Sequence, residues 1–327
     1  MFLVQVAVIL LVTVSVSLNL KNIPSIHVCF NLKHSRPKIC QNFSSFPALQ
    51  EFMTTPHVKV EILNQPFGEL GKNSFSHIAY TKELTFRNCS IKLIEPFAFN
   101  GSLSLLKVDL QNNELEILKN GIFNDLLIVH LNLGYNRLHT IEPDALSYMQ
   151  NLEEILLMNN DISVYESDWF HHTPLLKSLN FENNTIRKLP GGVFKNLIDK
   201  PFGLDLFFCF NAIIYVDSKA LFLQDLTISK LYLDHNHLEK WEESLSVNVE
   251  LLNISFNQLR CIEGDLRVTI KNTSLNGFKE NPYECDCLKE IKSIGDRNRD
   301  YSEWFMEKYL HCRKLKKNKT GKFSISN

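Results

Sequence analysis

Short stretches in which apolar and polar residues alternate recur along most of the chain. Each is followed at a fixed offset by an asparagine. The frame reads apolar, any, apolar, two of anything, Asn, any, apolar. Val108-x-Leu110-x-x-Asn113-x-Leu115 fits it, as do Leu131-x-Leu133-x-x-Asn136-x-Leu138 and Ile155-x-Leu157-x-x-Asn160-x-Ile162. The series continues through Leu179, Phe181, Asn184 and Ile186, then Leu206, Phe208, Asn211 and Ile213. Leu231, Leu233, Asn236 and Leu238 follow, then Leu252, Ile254, Asn257 and Leu259. Upstream, Leu84-x-Phe86-x-x-Cys89-x-Ile91 puts a cysteine in the Asn slot, and Val60-x-Ile62-x-x-Gln65-x-Phe67 is a degenerate first copy. Asn276-x-Phe278-x-x-Asn281 is a degenerate last one. Successive markers lie 21 to 27 residues apart. Alternation over so few residues turns one face of a short strand inward, and a near-constant period of this length is the mark of a repeat architecture.

Over roughly residues 57–312 the chain resembles the leucine-rich repeat family. The resemblance implies an α/β solenoid whose strands form a curved, concave parallel β-sheet, with disulfide-bonded caps at both ends. A buried Asn side chain can bond backbone groups at the turn after each strand, and Cys89 can fill the slot as a small, mostly apolar residue. A second apolar set, Phe99, Phe123, Leu146, Phe194 and Phe222, returns to the core. No repeat buries its face alone, so the array is stable only as a stack with closed ends.

The ends change the picture from a bare repeat to an extracellular one. Phe2 to Val16 is nearly all apolar and is followed by small residues, so residues 1–17 read as a secretory signal peptide. The organisation expected is a signal peptide at 1–17, an N-terminal cap at 18–56, repeats at 57–280, a cysteine cap at 281–313 and a basic tail at 314–327. Eight cysteines in a secreted chain should mostly be paired. Cys29 and Cys40 flank a short segment and should close a cap hairpin. Asn281-Pro282-Tyr283-Glu284-Cys285-Asp286-Cys287 resembles the C-terminal cap of extracellular leucine-rich repeat proteins, with Cys261 as the fourth partner beside Cys312. Cys261 and Cys285 share a phase in adjacent repeats, which predicts Cys261–Cys285 and Cys287–Cys312. Cys89 is then a buried thiol. Cys209 has two readings: a free thiol shielded by aromatics, or an intermolecular disulfide that would make a dimer. Asn42, Asn88, Asn100, Asn183, Asn253, Asn272 and Asn318 head glycosylation sequons.

The strand residues six, four and two before each marker should line the concave face, the usual binding surface of such arrays. Its first part is charged, with Lys59, Glu83, Arg87, Lys107 and Asp109. Its later part carries Leu156, Met158, Phe207 and Tyr232, with Asp205, Lys230 and Asp234 around them. Aromatic and apolar groups rimmed by charge are the make-up of an interface hot spot. The alternative is that the irregular 27-residue repeat before Asn211 folds its extra residues, around Leu197 to Gly203, over them. A glycan on Asn253 would block the concave face near its C-terminal end.

Catalytic and metal chemistry find no frame. His171-His172 lies in a connecting segment, and Asp234-His235-x-His237 straddles a repeat turn without a Cys or Glu partner at metal-ligand spacing. No catalytic residue, metal or cofactor is expected. A net charge of −1 gives no field for nucleic acid, and no apolar run of spanning length follows the first segment. The reading is a secreted, extracellular, non-enzymatic protein that binds another protein or a pathogen surface. The signal segment, about ten repeats and the following cysteine cluster are similar to the leucine-rich immune molecules of mosquitoes, which implies innate immunity. The C-terminal coiled coil of their longer members is missing here. The alternatives are a developmental, adhesion or matrix-binding protein, or an inhibitor of a secreted enzyme.

Overall fold

The computed structural model describes residues 26–320, apart from 33–38, 54–56, 77, 79, 199, 201, 222–225, 242–248, 263–276 and 289–298. The signal segment and Phe222 lie outside the described residues.

Eleven strands form one sheet. In chain order they are β1 (Ile26–Leu32), β2 (Ile39–Phe43), β3 (His57–Leu63), β5 (Glu83–Arg87), β7 (Lys107–Asp109) and β9 (His130–Asn132). Then come β11 (Glu154–Leu156), β12 (Ser178–Asn180), β14 (Leu204–Phe207), β16 (Ile228–Tyr232) and β17 (Leu251–Asn253). From β3 to β17 every neighbour is parallel, and each strand pairs in register with the same positions of the next repeat. The opposite side of the solenoid carries short parallel pairs: β4 (Glu69–Leu70) with β6 (Leu93–Ile94), β8 (Ile117–Leu118) with β10 (Thr140–Ile141), and β13 (Lys188–Leu189) with β15 (Tyr215–Val216). The fold is the expected leucine-rich repeat solenoid.

The asparagine slot explains why the repeats stack. Asn113 is buried; its Oδ1 accepts from the backbone N of Cys89 at 3.0 Å and of Ile91 at 3.1 Å. Its Nδ2 donates to Phe86 O and Leu110 O, both at 2.8 Å. One side chain thereby satisfies turn groups in its own repeat and in the repeat before it. Asn136, Asn160, Asn184, Asn211, Asn236, Asn257 and Asn281 repeat the pattern. Cys89 fills its slot with an Sγ that contacts Ile62 O and Arg87 O, each at 3.3 Å. Gln65 departs differently: it turns outward to the N-terminal cap, where its Oε1 accepts from His27 N at 2.7 Å. Phe99, Phe123, Leu146 and Phe194 are fully buried on the far side of the core. Phe75, Phe99 and Phe123 stack in succession there, at 6.0 and 5.8 Å between ring centroids.

Both ends are closed. At the N-terminus β1 reverses direction against β3, β2 pairs with β1, and α1 (Phe46–Met53) follows. Cys29 and Cys40 face each other across β1 and β2 and are bonded. At the C-terminus α2 (Arg299–Thr320) follows the last repeat and includes the first residues of the basic tail. The cysteine pairing here corrects the expectation from repeat phase. The bonds are Cys261–Cys287 and Cys285–Cys312, with Cα separations of 5.4 and 5.5 Å. The phase argument treats Cys285 as continuing the repeat. The chain keeps step only to Glu284, whose N donates to Arg260 O at 2.8 Å. It then coils, with Cys287 N and Leu288 N both donating to Glu284 O. One helical turn brings Cys287, rather than Cys285, to Cys261 and leaves Cys285 for α2.

Candidate functional site

The column four residues before each marker has a structural task in four of the ten repeats. Asp109 accepts from Gln111 N at 3.1 Å, Asn132 from Gly134 N at 3.0 Å, Asn180 from Glu182 N at 2.8 Å and Asn253 from Ser255 N at 3.2 Å. A short side chain with an oxygen ties down the end of its own strand. Leu156, Phe207 and Tyr232 occupy the same column and have no such oxygen to offer. Large apolar groups therefore replace a backbone-capping residue at these three strands. A broken local rule of this kind is where function is expected.

The predicted site residues divide into two groups. Phe207 and Tyr232 are register partners on β14 and β16, and their rings stack at 4.9 Å with 9° between planes. Beside them Lys230 Nζ lies 2.6 Å from Asp205 Oδ2, and that hydrogen bond raises the lysine pKa. Both rings are half-buried. Asp234 follows at the end of β16 and is 8% exposed. Its Oδ2 lies 2.9 Å from His235 Nδ1, and its Oδ1 has no hydrogen-bond partner among the described residues. Leu156 and Met158 lie apart, with Asn180 on β12 between Leu156 and Phe207. Met158 reaches the other way: a methyl group on Gly134 would meet its Sδ at 2.8 Å. In the charged first part, Arg87 is bonded to the buried Asp109, and Lys59 lies 3.1 Å from Glu61 and 3.6 Å from Glu83.

The described residues of the 27-residue repeat's insert make their contacts elsewhere. Leu197 is buried, Lys200 Nζ donates to Thr173 O at 2.7 Å, and the Phe202 ring sits 4.7 Å from Lys177 Nζ. Thr173 and Lys177 precede β12, at the edge where the strands begin. Gly203 adopts φ +70° to lead the chain into β14.

One set of residues escaped the sequence reading. The residue just before each marker adopts a left-handed backbone, with φ between 52° and 57°. Asn tolerates that conformation best after Gly, and Asn64, Asn88, Asn112, Asn159 and Asn183 hold it. In the later repeats the position passes to Phe210, His235 and Phe256. Their rings form a continuous stack along the rim, at 4.1 and 4.3 Å between centroids. Phe210 is 45% and Phe256 49% exposed. The signal was present in the sequence, as a column mostly of asparagine, with Tyr135 among them, that turns to three successive rings and ends on Glu280.

Reactive groups are few and quiet. Cys89 and Cys209 are free and buried, and burial pushes their thiols up to about 11 and about 12 respectively. His27, Cys29 and Cys40 place metal-ligating atoms within 4.8 Å of one another, but the Cys29–Cys40 bond occupies both sulfurs. His27 Nδ1 instead meets Asn42 Oδ1 at 2.7 Å. Of the sequon asparagines, Asn42, Asn88, Asn100 and Asn183 are exposed and Asn253 is half-buried on the concave face. Asn272 and the side chain of Asn318 lie outside the described residues.

Comparison with known proteins gives the same architecture. Residues 68–199 match the BspA type leucine-rich repeat region in six copies. A probable glycoprotein hormone G-protein coupled receptor of Anthopleura elegantissima is 26% identical over 79% of this chain and 28% of the receptor. Osteomodulin of Bos taurus is 26% identical over 52% of this chain and 36% of its own length. Among solved structures, the TLR13–ssRNA13 complex superposes with a TM-score of 0.62 at 21% identity, covering 74% of this chain and 35% of that one. The LRIM1/APL1C complex superposes with a TM-score of 0.52 at 19% identity, covering 72% of this chain and 46% of that one. The chain thus spans less than half of each, and the structural likenesses establish the fold alone. The repeat frame, the asparagine column and these similarities all support the leucine-rich repeat family.

Proposed function

We propose that this is an extracellular recognition protein that holds a protein partner, or the surface of a pathogen, on its concave face. The observation that carries the reading is the replacement of the capping Asn or Asp by Phe207 and Tyr232, stacked on each other and bordered by the Lys230–Asp205 pair. Half-buried rings on a sheet face gain when a partner removes them from water, and aromatic groups beside charge are the residues on which binding energy concentrates. Leu156 and Met158 form a separate apolar pair two strands toward the N-terminus, beyond Asn180, and Asp234 borders Tyr232. Secretion is supported by the apolar first segment and by three disulfides among the described residues. A role in innate immunity is the favoured context, supported by the layout shared with insect immune repeat proteins and by the fold shared with LRIM1/APL1C.

The test is recovery of partners from native body fluid by the wild-type chain and by a Phe207→Ala/Tyr232→Ala double variant. Loss of a partner in the variant supports the reading, and equal recovery of every partner sinks it. Transcript that rises after microbial challenge belongs to the immune role. Stage-limited expression with tissue-bound protein belongs to a developmental or matrix role instead, a reading that similarity to osteomodulin supports.

A further inference from the structure

Charge is segregated along this chain. Seven of its 35 Lys and Arg lie between Lys308 and Asn327, where none of its 36 Asp and Glu does. Within α2 the acids are Asp300, Glu303 and Glu307, all in the first half, while Arg313, Lys314, Lys316, Lys317 and Lys319 crowd the second. The net charge of −1 conceals this, because everything before Lys308 is net acidic.

The first half of α2 is the anchored half. Trp304, Phe305 and Cys312 are buried, and Cys312 is bonded to Cys285. Phe305, Tyr309 and Cys312 recur at spacings of four and three, the stripe by which a helix packs. Positions 316 and 319 continue that stripe, and both are lysine. Unpaired lysines do not enter a core, so the packed stripe ends at Cys312. Eight further residues carry the helix on by about 12 Å. Lys314 is exposed, and Arg313 and Lys317 are the next positions in the row of the exposed Met306 and Leu310. Cations therefore continue both rows of the helix. Asn318 falls between the two rows, so a glycan on its sequon would leave them open.

A merely solvated helix end does not call for this pattern. Cations complement the helix dipole only within the last turn, and Arg313, Lys314 and Lys316 precede it. Arg313 and Lys317 are like charges four apart; Arg313 and Lys316, Lys314 and Lys317, and Lys316 and Lys319 are like charges three apart. Such pairs oppose the helix, and no acid is interleaved to relieve them. A polyanion would relieve all of them together.

We propose that residues 313–320 of α2 are a docking site for a sulfated polysaccharide chain, separate from the concave face. A linear polyanion carries condensed counterions, and cations ranged along a rod gain by releasing them. A helix that lies on a membrane needs an apolar face, and Leu315 is the one apolar residue of these turns. A protein interface concentrates its energy on aromatic anchors, and these turns have none. The disulfide-bonded caps fit a compartment whose linear polyanions are polysaccharides rather than nucleic acids.

The test is calorimetric titration of the full chain with a size-defined heparin oligosaccharide at about 0.15 M salt. Lys314→Gln/Lys316→Gln/Lys317→Gln/Lys319→Gln retains helix propensity; it should bind about tenfold or more weakly and with a shallower dependence on salt. Lys82→Gln/Lys107→Gln/Lys188→Gln/Lys240→Gln removes the same charge from exposed positions of the repeats, and its affinity should stay within about threefold of wild type because distant charges are screened. Desulfated heparin, which keeps its carboxylates, should bind about tenfold or more weakly than heparin. Phosphatidylserine vesicles should not carry the protein with them in a flotation assay at the same salt. Absence of heparin binding, equal losses in the two quadruple variants, undiminished binding of desulfated heparin, or co-flotation with the vesicles would each overturn the proposal. The Phe207→Ala/Tyr232→Ala variant should bind heparin as wild type does, so this site and the concave site stand or fall separately.

Discussion

Replacing Asn211 by alanine should destabilise the protein by about 1–3 kcal/mol, the cost of one buried polar group left without a partner. Asn211 is 8% exposed, and its amide is shared between two repeats. Its Oδ1 accepts from Ile186 N at 3.0 Å; its Nδ2 donates to Phe181 O at 2.9 Å and to Phe208 O at 3.2 Å. The alanine variant orphans the buried N–H of Ile186 in the preceding repeat, while Phe181 O keeps Asn184 Nδ2 at 3.1 Å and Phe208 O keeps Asn236 Nδ2 at 2.9 Å, and it loosens the turn that carries Cys209 and Phe210. Because each repeat is held only by its neighbours, no distant contact compensates. The control is Asn120→Ala, at an exposed position, which should stay within about 0.5 kcal/mol of wild type. Equilibrium urea unfolding followed by tryptophan fluorescence measures both, since Trp169 and Trp241 are buried in the array. A loss below about 1 kcal/mol for Asn211→Ala would show that the amide is not what couples the repeats.

Three further outcomes follow from the same geometry. With Cys209 pushed up to about 12 against about 8.5 for a free thiol, its thiolate at pH 8 is depleted on the order of 10³-fold; iodoacetamide should label the native protein slower than the urea-unfolded chain by that factor, and a difference under about tenfold contradicts the burial argument. The unfolded thiols ionise first, so stability should fall as pH rises above about 8.5, and a urea midpoint that increases there has the wrong sign. Peptide mapping without reduction should join Cys285 to Cys312 and Cys261 to Cys287, while a Cys261–Cys285 peptide would restore the phase argument. Phe210→Asn should change stability by less than about 1 kcal/mol, because relief of the left-handed backbone offsets the lost ring stack; it should still weaken partner recovery, and a large stability loss would make the rim stack structural.

The strand face, the asparagine slot and the inward aromatic set were legible because each repeats with the period of the fold. A residue whose role is set by its place within one repeat has the same role in every repeat. That is why Phe207 and Tyr232 could be placed on the concave face from spacing alone. Cys89 was legible for the same reason. The rim stack was harder to see. Its members are 25 and 21 residues apart, and each sits at a turn position that ordinarily belongs to asparagine. Strand alternation assigns no face to that position, so neither side-chain direction nor ring contact follows from the period.

By itself the sequence determined the solenoid, the order of its strands and the six cysteines that are bonded, since all of these follow from local pattern and phase. Tertiary structure decided what happens where phase ends. The helical turn after Glu284 exchanges the partners of Cys285 and Cys287. The insert of the longest repeat packs toward Thr173 and Lys177, at the edge where the strands begin. The rings of Phe210, His235 and Phe256 meet only where three repeats stack in succession. The disulfides join residues of different repeats at non-equivalent positions, which a periodic pattern does not encode.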